Sequence, residues 1–248
     1  PDIASHDFQD GTFGPFNNAY GSGIQIIDDP TGTGFGKIAR FHYHVSGPGN
    51  TDSNTSIDYT YPAGQTDLYH RIYVYFVDPG TQGGVVVERI PSGLQRKLIY
   101  INAGEGPDYW TGTLQRWLDG ATGTMDNGIY GPRSVTKSQQ PQFSEIEVSG
   151  AIDVLLNIWY YFEYRVKLNT PGLSDGRIQI WGGIKGATGL ANALLYDVQN
   201  ANIRYGSSKG YLSVRFGQQL DAFTNGIYTI DEYRYLKNVA ISTQRIGP

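Results

Sequence analysis

Residues 159–183, WYYFEYRVKLNTPGLSDGRIQIWGG, consist of two alternating stretches joined by a segment rich in Asn, Pro, Asp and Gly. Side chains on a strand point alternately to opposite faces, so this pattern predicts a β-hairpin with one face in a core. Tyr160, Phe162, Tyr164, Val166 and Leu168 form the inward set. Glu163, Arg165 and Lys167 stand on the other face, with Gln179 and Trp181 on the returning strand.

The same period recurs outward from this hairpin: Lys37–Val45, His70–Val77, Lys97–Asn102, Tyr211–Phe216 and Gly226–Leu236 all alternate. Gly, Pro, Asn and Asp clusters such as Asp28–Gly32, Ser46–Asn50 and Asp78–Gly80 separate them, residues that supply the backbone angles of turns. Many short strands punctuated in this way predict an all-β, two-sheet antiparallel β-sandwich. Helix signal is confined to Gly189–Val198 (GLANALLYDV), read as a short helix, and to a single turn over Tyr109–Leu118. We expect one domain over residues 1–248, with a long insertion near 104–142 where alternation fades.

Charged residues make up 17% of the chain and the net charge is −4; average composition is about 25% charged. The balance argues against binding a nucleic-acid backbone. No apolar run reaches the roughly 18 residues needed to span a bilayer as a helix, so no membrane insertion is expected. There is no cysteine, so disulfides and thiolate metal sites are excluded. The sequence starts at Pro1 without a charged-then-apolar leader, and we expect a processed, secreted protein.

Sorting the strands by face places Ile72, Val74 and Phe76 in the core and leaves Arg71, Tyr73 and Tyr75 outside. Ala39, Phe41, Tyr43 and Val45 point in, leaving Arg40, His42 and His44; Ser213 and Arg215 form a further outer face. Arginine, one carboxylate and several aromatic rings side by side suit a sugar, whose C–H faces stack on rings and whose hydroxyls need paired donors and acceptors. Arg71, Tyr73, Tyr75, Glu163, Arg165, Gln179 and Trp181 are the expected lining of a polysaccharide groove, with Tyr109, Trp110 and Trp117 as an aromatic rim. The plainer reading is an ordinary polar sheet face.

The passage NIWYYFEYRVKLNTPGLSDGRIQIWGG resembles a segment of concanavalin A-like jelly rolls, most closely polysaccharide lyases of the alginate and glucuronan type. HDFQDGTFGPF (residues 6–16) resembles their opening strand and GIYTIDEYRYLKNVAIST (residues 226–243) their closing one. The resemblance implies a jelly roll, a fold that also hosts lectins, hydrolases and assembly subunits. In these lyases a Lys-Leu-Pro-Gly strand carries a lysine, and Lys97 of RKLIYIN stands at the matching point, with Ile99-Tyr100 replacing Pro-Gly. The lyases' later Tyr-x-Tyr has no counterpart between Trp117 and Trp159; Tyr233 and Tyr235 have that spacing on the closing strand.

Lyase chemistry on a uronic acid needs a group that neutralises the carboxylate, a base for the C5 proton and an acid for the leaving oxygen. Arg71 and Arg96 are the neutralising candidates, His70, His42 and Tyr73 the candidate bases, and Lys97 an assisting group. SEIEVSG (residues 144–150) resembles a glucanase strand, but Gly150 stands where the second catalytic carboxylate belongs. His42 and His44 share a face without an evident third ligand. Asp10 and Asp231 resemble positions at which such jelly rolls hold a structural Ca²⁺. Three functions follow as expectations: a polysaccharide-binding domain, a uronic-acid lyase, and a subunit that self-assembles as a homo-oligomer or filament.

Overall fold

The computed structural model describes residues 2–20, 23–46, 52–53, 55–77, 95–103, 110–117, 128–130, 152–153, 157–184, 193–201, 203, 208, 210–217, 220–221 and 229–248. Within these, the backbone course alone is described for 2, 17–20, 44–46, 52–53, 95–97, 102–103, 110–117, 128–130, 152–153, 220–221 and 229–232. In chain order the strands are β1 (Asp2–His6), β2 (Asn17–Tyr20), β3 (Ile24–Asp28), β4 (Lys37–Ser46), β5 (Asp52–Ser53), β6 (Ser56–Thr60), β7 (Asp67–Phe76), β8 (Gln95–Ala103) and β9 (Trp110–Trp117). They continue as β10 (Gly128–Tyr130), β11 (Ile152–Asp153), β12 (Trp159–Lys167), β13 (Gly176–Ile184), β14 (Ala193–Ala201), β15 (Tyr211–Phe216), β16 (Leu220–Asp221) and β17 (Thr229–Ser242).

Every described pairing is antiparallel, and the strands form two sheets. The first runs β14-β13-β12-β7-β17-β4-β3, with β1 also on β17; the second runs β11-β10-β9-β8-β15-β6-β2, with β16 on β8 and β5 on β16. The protein is thus an antiparallel two-sheet β-sandwich of the jelly-roll type. The hairpin of residues 159–183 is β12-β13, and β12 lies directly against β7 with Glu163 opposite Arg71.

Alternation sets the packing. Ile72, Val74 and Phe76 of β7, Tyr160, Phe162, Tyr164 and Val166 of β12, and Phe41 and Tyr43 of β4 meet Ile57, Ile99, Ile101, Val214 and Phe216 of the second sheet in one buried cluster. Burial of each large apolar side chain contributes about 1.5–3 kcal/mol. A buried hydroxyl needs a hydrogen-bond partner, and three core tyrosines find theirs on the opposite sheet. Tyr43 of β4 donates to the carbonyl of Gly217 after β15, and Tyr211 of β15 donates to the carbonyl of Val166 in β12. Tyr61, just past β6, bonds His70 of β7. These cross-sheet bonds tie the layers together in a chain with no cysteine.

Three local expectations are corrected. Gly189–Val198 was expected to include a short helix, yet Ala193–Ala201 is the edge strand β14: pairing with the open edge of β13 outweighs the helix preference of Ala and Leu. The turn expected within Tyr109–Leu118 is strand β9, paired with β8; with β10 it lies inside the segment read as an insertion, the rest of which lies outside the described residues. HDFQDGTFGPF is not the opening strand. That strand is β1, and residues after His6 turn, burying Phe8 and Phe16 while Gly11 N–H bonds Phe8 O (3.1 Å) and Phe16 N–H bonds Phe13 O (3.1 Å).

Candidate functional site

On the outward face of the first sheet, register puts the expected residues side by side. Trp181, Glu163 and Arg71 form one cross-strand row, and Gln179, Arg165 and Tyr69 the next; Tyr161 lies beside Tyr73, and Trp159, Tyr75 and Tyr235 form a further row. Arg165 clamps Asp67 through two bonds of 2.9 and 2.7 Å, donates to Gln179 Oε1 at 2.8 Å, and lies over the Tyr69 ring.

This face is not an open groove over the Glu163 row. Glu163 is 0% exposed and Trp181 8%, because the chain covers them with its own C-terminal segment. Glu163 Oε1 accepts the N–H of Ile246 at 2.6 Å, and Oε2 accepts the N–H of Gly247 at 3.1 Å and the Tyr161 hydroxyl at 2.5 Å. The Arg245 guanidinium lies 4.6 Å from the Trp181 ring centroid, and Arg71 donates to the carbonyls of Asn238 (3.3 Å) and Gly247 (3.2 Å). Farther along, the loop between β3 and β4 is tied by Asp29, whose carboxylate accepts from Thr31 N–H (2.8 Å), Thr33 Oγ1 (2.7 Å) and Phe35 N–H (3.2 Å). It lays Phe35 edge-on against Trp159 (4.8 Å) and Tyr73 (6.2 Å), while Trp159 Nε1 donates to Thr31 Oγ1 at 3.0 Å. The result is a second buried cluster of Ile38, Tyr73, Val77, Trp159, Tyr161, Trp181 and Tyr235. The carboxylate expected to hold sugar hydroxyls holds backbone N–H groups instead.

His70 is also corrected. It has the parity of Ile72 and sits fully buried between the sheets, where removal from water lowers its pKa to about 4, only partly opposed by its bond to the Tyr164 carbonyl. That carbonyl, 3.2 Å from Nδ1, requires the proton on Nδ1, so Nε2 accepts from Tyr61. A neutral histidine without solvent access is structural. Tyr73 is a poor base as well, because burial raises its pKa while Arg71 opposes this.

Asp10 and Asp231 are not brought together. Asp10 accepts the Thr12 N–H (2.8 Å) and hydroxyl (2.9 Å), bonds that hold its pKa below the usual carboxylate range. Its neighbour Gln9 donates to the Lys37 carbonyl at one end of β4, whereas Asp231 pairs with His44, roughly 20 Å away at the ordinary strand rise. Among the described residues no group of three or more His, Cys, Asp or Glu is placed to hold a metal. Tyr109 and SEIEVSG lie outside the described residues. Lys97 is on β8 opposite Gln115, and Trp110 and Trp117 end β9, all three described by backbone alone.

The second sheet carries a row that sequence reasoning only half found. Tyr100 of β8 stands opposite Arg215 of β15, and Arg215 opposite Asp58 of β6. Arg215 Nε is 3.1 Å from Asp58 Oδ2, and Asp58 Oδ1 accepts from the Ser56 hydroxyl at 2.8 Å. Burial raises the Asp58 pKa, opposed by the Ser56 bond and the Arg215 charge. All three side chains are half-buried, and Ser213 and Thr60 form the adjoining pair. Arg215 was legible as outward; Asp58 was missed because SIDYT is too short for its alternation to stand out.

No protein-family model and no curated protein sequence matches this chain. Solved structures do. An endo-β-1,4-glucuronan lyase from the fungus Trichoderma reesei superposes with a TM-score of 0.66 at 11% identity, over 98% of this chain and 96% of that one. The marine PL-14 alginate lyase from Aplysia kurodai gives 0.66 at 16% identity over 100% of both chains. An alginate lyase from Chlorella virus gives 0.55 at 11% over 97% and 99%. At such identities the likeness shows a shared jelly-roll fold, end to end.

Proposed function

We propose that this protein recognises an acidic polysaccharide on the outer face of the second sheet, at the row of Tyr100, Arg215 and Asp58. The observation that carries this reading is the register row itself: Tyr100, Arg215 and Asp58 set a phenol, a guanidinium and a carboxyl side by side on the outward face of the second sheet, all three half-buried. Arginine pairs with carboxylates in a planar fork, Asp58 and Ser213 suit sugar hydroxyls, and the Tyr100 ring suits a pyranose C–H face. The fold supports the polymer class: its full-length neighbours include lyases of glucuronan and alginate.

Turnover is a second reading, favoured by the placement of Tyr100 beside Arg215. In such an elimination the C5–H and C4–O4 bonds break, a C4–C5 double bond forms, the C5 proton passes to a base and the leaving oxygen takes a proton. Arg215 would neutralise the carboxylate that makes C5–H acidic, and Tyr100 would act at the proton. Retention on immobilised glucuronan or alginate, compared with a neutral glucan, tests recognition; absorbance of the unsaturated product tests turnover. Arg215→Ala, checked for an unchanged fold by circular dichroism, is expected to lower affinity for the acidic polymer at least about tenfold, as expected for loss of a charge-assisted pair. Equal retention on acidic and neutral polymers would overturn the reading.

A further inference from the structure

On the first sheet β4 and β1 occupy successive stretches of one edge of β17. Leu236 is the last residue paired with β4, and Val239 the first paired with β1. Between them the register shifts, and Asn238 takes φ +50°. A cleft of about 310 Å³ opens beside this handover, lined by Ser5, His6, Asp7, Arg71, Asn238 and Val239. In the row that crosses this edge Ala240 lies between Arg71 on one side and Ser5 on the other, so the two positions next to Arg71 carry small side chains. The volume is at the small end of the roughly 300–1,000 Å³ of ligand pockets, room for about one sugar ring.

The chemistry of the lining is specific. Arg71 has five N–H donors, and its Nε and Nη1 each make one bond, to Asn238 O and Gly247 O. Among the described residues it has no ion-pair partner, because Glu163 opposite it is committed to the N–H groups of Ile246 and Gly247. The guanidinium thus retains charge and donors for an incoming anion. Asp7 is exposed and, among the described residues, accepts only the Gln9 N–H, at 3.1 Å, which disfavours a simple anion but suits a ligand with hydroxyl donors at its other end. Both ring nitrogens of His6 have neighbours on the turn that follows β1. Nε2 bonds the Thr12 carbonyl at 2.8 Å, and a Cβ added to Gly14 would lie 2.4 Å from Nδ1.

We propose that this cleft binds a single uronate unit, its carboxylate on Arg71 and its hydroxyls on Asp7, Ser5 and Asn238. It lies on the opposite sheet from the Tyr100–Arg215–Asp58 row and is independent of it. The test is titration of the isotope-labelled full chain with glucuronate, glucose and acetate, following amide resonances. Glucuronate is expected to shift Ser5, Asp7 and Asn238, and to bind at least about fivefold more tightly than either control. Arg71→Ala is expected to abolish those shifts, but it also frees the tail. Ser5→Val therefore serves as the second variant: it removes a proposed hydroxyl partner and narrows the cleft with two methyl groups from an exposed strand position, and is expected to abolish them with the fold intact. Absence of shifts, equal binding of glucose, equal binding of acetate, or shifts that survive Ser5→Val would each overturn the proposal. Polymer retention reports the second-sheet row separately, so failure of one leaves the other to its own measurement.

Discussion

Glu163→Gln should unfold the protein more easily by an amount the geometry sets. The carboxylate is buried and accepts three hydrogen bonds, from Ile246 N–H (2.6 Å), Gly247 N–H (3.1 Å) and Tyr161 Oη (2.5 Å). Arg245 adds a longer contact of 3.8 Å. An amide offers one oxygen. Whichever way it is turned, its NH₂ must face at least one backbone N–H, and the rest lose their charge assistance. Bonds to charged groups contribute about 1.5–3 kcal/mol and a buried donor left unpaired costs about 1–3, so the net loss should be about 3 kcal/mol. For a domain of this size that lowers Tm by about 6–12 °C. The assay is thermal and urea unfolding, together with amide exchange at Ile246 and Gly247, which should quicken before global unfolding. A Tm lowered by less than about 2 °C, with exchange at those two amides unchanged, would refute the claim that the carboxylate holds the tail.

Two further predictions follow from the core. His70 is held at a pKa of about 4 in the folded protein, against about 6.5 unfolded. The unfolded chain therefore binds the extra proton between those values, so this contribution to stability is complete above about pH 6.5 and is lost as pH falls towards 4. It amounts to about 3 kcal/mol. Urea unfolding at pH 7 and pH 4.5 should show a smaller acid loss in His70→Gln than in the parent, and equal losses would remove His70 as the source. Gly217 has φ +77°, and a Cβ there would lie 2.6 Å from Phe41 Cε1 in the packed core. Backbone strain and overpacking together should make Gly217→Ala about 3 kcal/mol less stable; a loss below about 1 kcal/mol in urea unfolding would show that Phe41 can yield.

The jelly roll was legible because its central strands alternate strictly. β15 could be read to the residue, and the hairpin, β4 and β7 to the face and to within three residues at their ends, so that Arg71 and Glu163 were both turned outward; that they stand opposite each other is the register's addition. What alternation does not say is what lies above an outward face. Glu163 and Trp181 were correctly turned from the main core, yet they are buried, because the residues that cover them come from the far end of the chain; Trp159 and Tyr73 are covered by a Gly-rich loop that reads only as a turn. Ile38 carried a hint: an outward position occupied by a large apolar residue implies a cover. His70 misled because its residue type suggests chemistry while its parity, shared with Ile72, already put it inside. β14 was missed because Ala and Leu favour a helix locally, whereas a free sheet edge is a tertiary fact.

The tail and the β3–β4 loop make the middle of the first sheet an inner layer with neighbours above and below. Substitutions along β12 should therefore be punished at consecutive positions: at Phe162 for disturbing hydrocarbon packing, at Glu163 for leaving polar groups stranded. A mutational library that treats every second residue of that strand as free surface would discard far more of its members than the sandwich diagram suggests, and a designer seeking tolerant sites would do better on β14, whose Leu194 is already half open to water.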